Sequence, residues 1–402
     1  MTLDLPALRK HFPSLDSGIA HFDGPGGSQT PRPVGDAIAS ALCGPLSNRG
    51  DGVLSERNST NFVAEFRTAC ADLLAASPDG IVHGRSATQL TMDFARTLAR
   101  TWGPGDEIVV TRLDHDANIR PWVLAAGRAG ATVRWAEFDP ATGELDLAAL
   151  AELIGPRTRL VAVTAASNLI GTMPPVATIA GLAHDRGALL YVDGVHYTAH
   201  HPVDLGALGA DFFVCSPYKF MGPHCGVLAA DPALLETLLP DKLLPSTDEV
   251  PERFELGTLP YEQLAGVTAA VDFIAGIAPG GGRTRRERLV NSMDAVAAHE
   301  DGLRELVEEG LASLGDAVVV HSRAARRTPT LYLTLPGRAT WDAYEYLAAR
   351  DVLAPAGSFY AIEAFRALGL ADENGLRVGL APYSEAAEVH RLIDGLGGFL
   401  RG

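Results

Sequence analysis

Leu189-Leu190-Tyr191-Val192-Asp193 and Asp211-Phe212-Phe213-Val214-Cys215-Ser216-Pro217-Tyr218-Lys219 decide the fold of this chain. Both carry continuous apolar runs, as expected for strands covered on both faces of a sheet. The first ends in an acid. The second continues into a serine, a proline turn and a lysine. Similar runs lie on either side, at residues 80–83, 107–111, 131–135, 159–164 and 226–228, with helical patterns between them at 147–153 and 175–186. Strands alternating with helices predict an α/β fold, a mainly parallel sheet wrapped by helices. Ligands then collect at the carboxyl ends of the strands.

The chain has 402 residues, more than one small core needs, and suits two domains. Ala278-Pro279-Gly280-Gly281-Gly282-Arg283 reads as a linker. Beyond it, a long helix over 284–314, strands at 317–320 and 330–334, a helix over 341–350, a strand at 376–380 and a last helix over 384–400 make a smaller α+β domain. The expected division is 22–278 for the large domain and 1–21 plus 283–402 for the small one.

A formal net charge of −16 excludes a nucleic-acid binder, because phosphates would be repelled. Arg283-Thr284-Arg285-Arg286 is the one short basic cluster noted, and it reads as a solvated helix start. The N-terminus, Met1-Thr2-Leu3-Asp4-Leu5-Pro6, shows neither the cationic region nor the apolar run of a signal peptide. No stretch reaches the roughly 18 apolar residues of a membrane span. The four cysteines, Cys43, Cys70, Cys215 and Cys225, lack CxxC spacing, so neither a metal site nor a disulfide framework is expected. The expected setting is a reducing cytoplasm.

Polar residues follow several strands in turn. Arg85-Ser86-Ala87-Thr88-Gln89 opens a helix whose backbone N–H groups suit a phosphate. Asp114-His115-Asp116 brings an imidazole able to stack on a planar ring, and Ser167-Asn168 brings an amide. Asp193 and His196 come next, then Ser216, Tyr218 and Lys219. Taken singly, each has an ordinary structural reading as an N-cap, a turn former or a loop polar group. Together they form an ordered set at strand ends. An acid beside a ring nitrogen and an amine beside an aldehyde are what pyridoxal phosphate requires.

Asp193-Gly194-Val195-His196, Ser216-Pro217-Tyr218-Lys219, Asp114-His115-Asp116-Ala117-Asn118 and Arg253-Phe254-Glu255-Leu256-Gly257-Thr258 resemble the class V aminotransferase group of fold-type I pyridoxal phosphate enzymes. The nearest branch is the cysteine desulfurase-like proteins. The resemblance runs from Phe22-Asp23-Gly24-Pro25-Gly26-Gly27 to the last helix. It implies that Lys219 carries the cofactor as a Schiff base and moves the Cα proton, while Asp193 pairs with the ring nitrogen. It further implies that His115 stacks on the ring and Asn168 contacts its phenolic oxygen. Ala87, Thr88 and Ser216 would hold the phosphate, and Thr258 would reach a phosphate across a homodimer interface. Arg377 falls where the family clamps a substrate α-carboxylate, a task that suits a bidentate guanidinium. Arg49 lies in a loop that lines the channel in such enzymes.

There are three departures from the family pattern. His196 stands where relatives carry glutamine, and Tyr218 where they carry histidine. Both can still hydrogen-bond, to the phenolic oxygen and the phosphate respectively. The loop at 353–361, where a desulfurase holds its sulfur-accepting cysteine, has no cysteine, and none follows Cys225. Without a thiolate no persulfide forms there. The expected reaction is a C–S lyase or related β-elimination on a small amino acid. The alternatives are transamination, or desulfuration through an atypical cysteine such as Cys225. A binding protein that has only kept the fold is disfavoured by the intact Asp193 and Lys219.

Overall fold

The computed structural model describes residues 3–278, 280–370 and 375–402. Pro279 of the expected linker, and Met1 and Thr2 of the N-terminal stretch, lie outside the described residues. The seven apolar runs all become strands of one sheet: β1 (Ile81–Gly84), β2 (Glu107–Thr111), β3 (Thr132–Ala136), β4 (Thr158–Thr164), β5 (Leu189–Asp193), β6 (Phe212–Cys215) and β7 (Gly226–Ala230). Their order is β1-β7-β6-β5-β4-β2-β3. Only β7 runs against its neighbours, and the remaining pairings are parallel.

The continuous apolar runs are explained by two covered faces. The main helices of the chain are α1 (Leu54–Leu74), α2 (Ala87–Leu98), α3 (Arg120–Ala129), α4 (Val176–His184), α5 (Tyr261–Ala275), α6 (Arg285–Ala312) and α7 (Ala386–Arg401). Leu160, Ala162, Tyr191, Phe212 and Val214 pack on one face with Phe94 of α2 and Trp122 of α3. Val161, Val163, Leu190, Val192 and Phe213 pack on the other with Phe66 of α1, Ile179 of α4 and Val271 of α5. Successive strand residues feed opposite cores, and each large side chain so buried contributes about 1.5–3 kcal/mol. Among the described residues, no helix is long and apolar enough to cross a membrane.

A second sheet is antiparallel: β8 (Val319–Val320), β9 (Thr330–Thr334), β10 (Ala356–Gly357) and β11 (Gly375–Gly379), in the order β8-β9-β11-β10. Leu331, Leu333 and Val378 pack there against Val307 of α6 and Leu392 of α7. The N-terminal segment reaches both sheets. Ala20–His21 pairs in parallel with Val352–Leu353, and Phe22 joins the second core, whereas Leu8 and Phe12 join the first.

The basic cluster does start a helix. The Thr284 side chain accepts from the Glu287 N–H at 3.2 Å, and the Glu287 carboxylate accepts from the Thr284 N–H at 3.1 Å, a capping box that begins α6. Arg283 is exposed there, and Arg285 and Arg286 are half-buried. Arg285 lies 2.9 Å from Asp272, and Arg286 donates to the Leu73 carbonyl at 2.9 Å. The second contact places a cation at the carboxyl end of α1, where the helix dipole favours it.

Candidate active site

The carboxyl ends of β4, β5 and β6 lie side by side, with Thr164 in register with Asp193 and Asp193 with Val214. After Asp193 the chain must cross the Phe213 ring. A Cβ on Gly194 would sit 1.9 Å from the ring carbon Cζ, so only glycine fits that turn. Gly226 of β7 plays a similar part, since a Cβ there would lie 2.4 Å from the Ser86 carbonyl carbon. That close approach seats the start of α2 against the sheet. Ser86 caps the helix by accepting from the Gln89 N–H at 3.1 Å.

Beyond these strand ends lies a cavity of about 670 Å³, within the usual range for small-molecule sites. Ala87, Thr88, His115, Asn168, Asp193, His196, Ser216, Tyr218, Lys219 and Arg377 all line it. Two expected residues do not. Arg49 is turned to Glu252, with Nη2 donating to its carboxylate at 2.7 Å. On the single chain this carboxylate is its partner, and Arg49 lies outside the cavity lining. Thr258 is exposed on the single chain, outside the cavity lining.

Burial sets the electrostatics. Lys219 is pushed down to about 7, by burial first and then by the Arg377 charge, against the pull of Asp193 and Asp23. Its ammonium donates to the Pro25 carbonyl. Asp193 is pushed up to about 6 by burial, although the Val195 N–H at 2.9 Å and Lys219 both favour its charged form. At neutral pH the cavity therefore holds a carboxylate near an amine that is only partly protonated. Burial also lowers His115 to about 4. Its Nδ1 accepts from the Ala117 N–H at 3.0 Å, so the neutral ring carries its proton on Nε2. Arg377 falls to about 9 by burial, and its Nη1 donates to the Asn168 carbonyl at 3.1 Å.

Two histidine and amide roles are sharpened by the geometry. His196 Nε2 sits 2.9 Å from Thr328 Oγ1 and 3.0 Å from Thr330 Oγ1, which leaves Nδ1 buried without a partner. The Asn168 side-chain amide donates to the Phe359 carbonyl at 2.9 Å. One of its two N–H donors is therefore engaged by the loop, and Oδ1 is left buried and unpaired. With Arg377 Nε also unpaired, three buried polar atoms of cavity-lining residues lack protein partners. Leaving such atoms unmet costs about 1–3 kcal/mol each, which fits a cavity built around a polar guest.

Sequence reading missed Pro25, Gly26, Phe359 and Tyr360, which also line the cavity. The Gly24-Pro25-Gly26-Gly27 turn was a usable signal. A Cβ on Gly379 would lie 2.1 Å from Pro25, and one on Gly26 would lie 3.4 Å from Arg377 Nη2. Phe359 and Tyr360 occupy the loop expected to carry a thiol in a desulfurase. Both hold left-handed backbone, at φ 53° and 59°, which costs on the order of 1–3 kcal/mol for a non-glycine residue. Tyr360 stacks on His115 with centroids 5.5 Å apart. No cysteine lines the cavity.

The fold and this site define a class of protein, a pyridoxal phosphate enzyme of fold type I. The chain belongs to the class V aminotransferase family, whose model matches residues 20–392. An uncharacterized protein of Mycobacterium tuberculosis, MT3887, is 32% identical over 398 residues, covering 98% of this chain and 99% of that one. A cysteine desulfurase of Klebsiella pneumoniae subsp. pneumoniae is 29% identical over 421 residues, covering 98% of each. The crystal structure of the Escherichia coli cysteine desulfurase CsdA matches with a TM-score of 0.88 at 25% identity, covering 100% of this chain and 99% of that one. This chain is thus a pyridoxal phosphate-dependent enzyme of the cysteine desulfurase-like superfamily.

Proposed function

We propose that the enzyme catalyses β-elimination from a small sulfur-containing α-amino acid, as a C–S lyase. One observation carries this reading. The cavity combines Lys219, Asp193 and Arg377, the groups for an amino-acid substrate, yet has no thiol to take sulfur. Cys70, Cys215 and Cys225 are buried in the core, and burial pushes the Cys225 thiol up to about 12. Such a thiol is not a nucleophile at neutral pH.

Bound pyridoxal phosphate supplies an electron sink for the pair left at Cα when its proton is removed. Asp193 would hold the ring nitrogen protonated, and the His115 imidazole, neutral at physiological pH, would stack on the ring. Ala87, Thr88, Ser216 and Tyr218 would hold the phosphate, with the helix start contributing its dipole. The His196 Nδ1 is available for the phenolic oxygen. Lys219 takes the Cα proton, and Arg377 holds the α-carboxylate. The Cβ–S bond then breaks, and the thiolate leaves with the bonding electrons. The thiolate takes up the proton held by Lys219, and the released enamine tautomerises to an imine that water hydrolyses to a keto acid and ammonia, so atoms and charge balance.

The proposed division of labour follows the boundaries 22–278 and 1–21 plus 283–402. The large unit supplies the cofactor groups, and the small one supplies Arg377. We infer a cytoplasmic homodimer in which Thr258, exposed on one subunit, completes the phosphate site of the other. The direct test of the reaction is product analysis with cysteine and S-substituted cysteines. Keto acid, ammonia and thiol in equal amounts support elimination. Alanine with a stoichiometric persulfide on Cys225, lost in Cys225→Ala, would falsify it in favour of desulfuration. An amino acid formed from an added keto acid acceptor marks transamination.

A further inference from the structure

Tyr332 of β9 stands opposite Arg377 of β11 in the antiparallel register, so the two side chains share one face of the second sheet. The Phe359 ring closes over this pair. Its centroid is 3.7 Å from Arg377 Cζ, and it meets the Tyr332 ring edge-on at 6.4 Å and 89°. Two hydrogen bonds hold the backbone that presents the ring. Asn168 Nδ2 donates to the Phe359 carbonyl at 2.9 Å, and the Asp116 N–H donates to the Tyr360 carbonyl at 2.8 Å. The left-handed φ angles at both residues turn this corner inward, and they persist because the surrounding bonds determine it.

The consequence falls on Arg377. Its Nη1 is tied to the Asn168 carbonyl, and its Cζ lies 3.7 Å from the centroid of the Phe359 ring. Rotation out of that plane would break both contacts. Nε is buried and unpaired, so the plane presents an unmet donor edge. A carboxylate accepts two parallel N–H bonds only in the guanidinium plane. A cation on an aromatic face is also attracted to it, most strongly when water is excluded.

We propose that Phe359 is a positioning residue that holds the plane of Arg377 for the substrate α-carboxylate and so makes the site select carboxylated amines. The proposal rests on the reading of the cavity as an amino-acid site. It assigns a function to the aromatic side chain in the loop where a desulfurase keeps its thiol.

A matched ligand pair tests it without requiring turnover. L-serine and ethanolamine differ by the carboxylate alone. Each is titrated into the cofactor-loaded enzyme and followed by the change in visible absorption of the bound cofactor. Phe359→Ala is expected to weaken serine roughly five- to thirtyfold while ethanolamine changes less than about twofold. Phe359→Leu keeps apolar bulk without the π face. It is expected to weaken serine selectively by a smaller factor, and it decides the matter if the alanine variant does not fold. Bound cofactor and the thermal midpoint of each variant report on folding. Equal weakening of both ligands, or of neither, overturns the proposal. Arg377→Ala separates the two levels: if it leaves the preference for serine intact, the amino-acid reading of the site fails. If it removes the preference and the Phe359 variants do not, only the positioning role fails.

Discussion

On one side of the cavity Asp193, Ser216 and Lys219 sit at or just beyond the ends of adjacent strands of the large sheet. On the other side Arg377 comes from β11, and Phe359 and Tyr360 come from the turn that follows β10. The first wall is built by local chemistry. A buried strand ends in a polar residue, and its neighbour in the sheet brings the next. The second wall is built by non-local pairing. Ala356–Gly357 reaches the site because it pairs with Gly375–Leu376. A loop turned inward from such an edge can change its side chains without altering the strands that carry Asp193, Ser216 and Lys219. The strand-end wall therefore carries Asp193, Ser216 and Lys219, while the loop wall presents two aromatic rings.

Breaking the first wall has the largest expected effect. Lys219→Ala should lower turnover by roughly 10³-fold or more and remove the visible absorption of the lysine-bound cofactor. Steady-state rates and a spectrum of the purified variant check this. The second wall should respond differently. Arg377→Ala should raise KM for an amino acid roughly 10- to 100-fold, as loss of a charged hydrogen-bond pair implies, while the bound cofactor remains. A variant that loses cofactor as Lys219→Ala does would show that the walls are not separable.

The strand-end wall also makes a pH prediction. Capture of the aldehyde needs an unprotonated amine, and Lys219 sits near 7 where an ordinary lysine has 10.5. Going down in pH through about 7, the cofactor-free protein should load about tenfold more slowly per unit, because the amine becomes protonated. Below about 6 Asp193 is protonated as well and no longer supports a charged ring nitrogen. Stopped-flow loading between pH 5 and 9, chosen as about two units on either side of 7, tests the sign. A rate that levels off above about 7 is expected; one that still climbs about tenfold per unit up to about pH 9 would mean that burial does not control the amine.

This contrast also explains what could be read from the chain. The seven strands were legible because both faces are covered and the apolar runs are unbroken. Lys219, Asp193 and His115 were legible because each follows such a run. Phe359 and Tyr360 were not, because their importance depends on a pairing between β10 and β11 and on backbone angles that no residue type announces. The partner of Arg49 was not legible either. A loop arginine suggests a ligand contact, but its partner Glu252 is two hundred residues away in sequence and invisible until the chain is folded. Asn168 was legible in its position but not in its bond to the loop. Its position follows from β4, whereas its donor is directed by the carbonyl of the distant loop.

The smallest effect expected is at Tyr360, and it isolates what the second wall lends the first. Its ring stacks on His115 at an interplanar angle of 26°, while 74% of the residue remains exposed. Removing the ring should loosen His115 and weaken cofactor binding only about two- to tenfold, the usual worth of one aromatic pair. Alanine and glycine should not be equivalent here. At φ 59° glycine carries no steric cost, so Tyr360→Gly keeps the corner and removes only the ring. Tyr360→Ala removes the ring and keeps the strained backbone. If the ring alone matters, both variants weaken the cofactor equally in a dissociation titration, and serine binding changes little in either. If glycine instead weakens serine more than alanine does, the strained backbone itself holds Phe359 over Arg377. The two walls would then be joined through the turn rather than through the His115 stack.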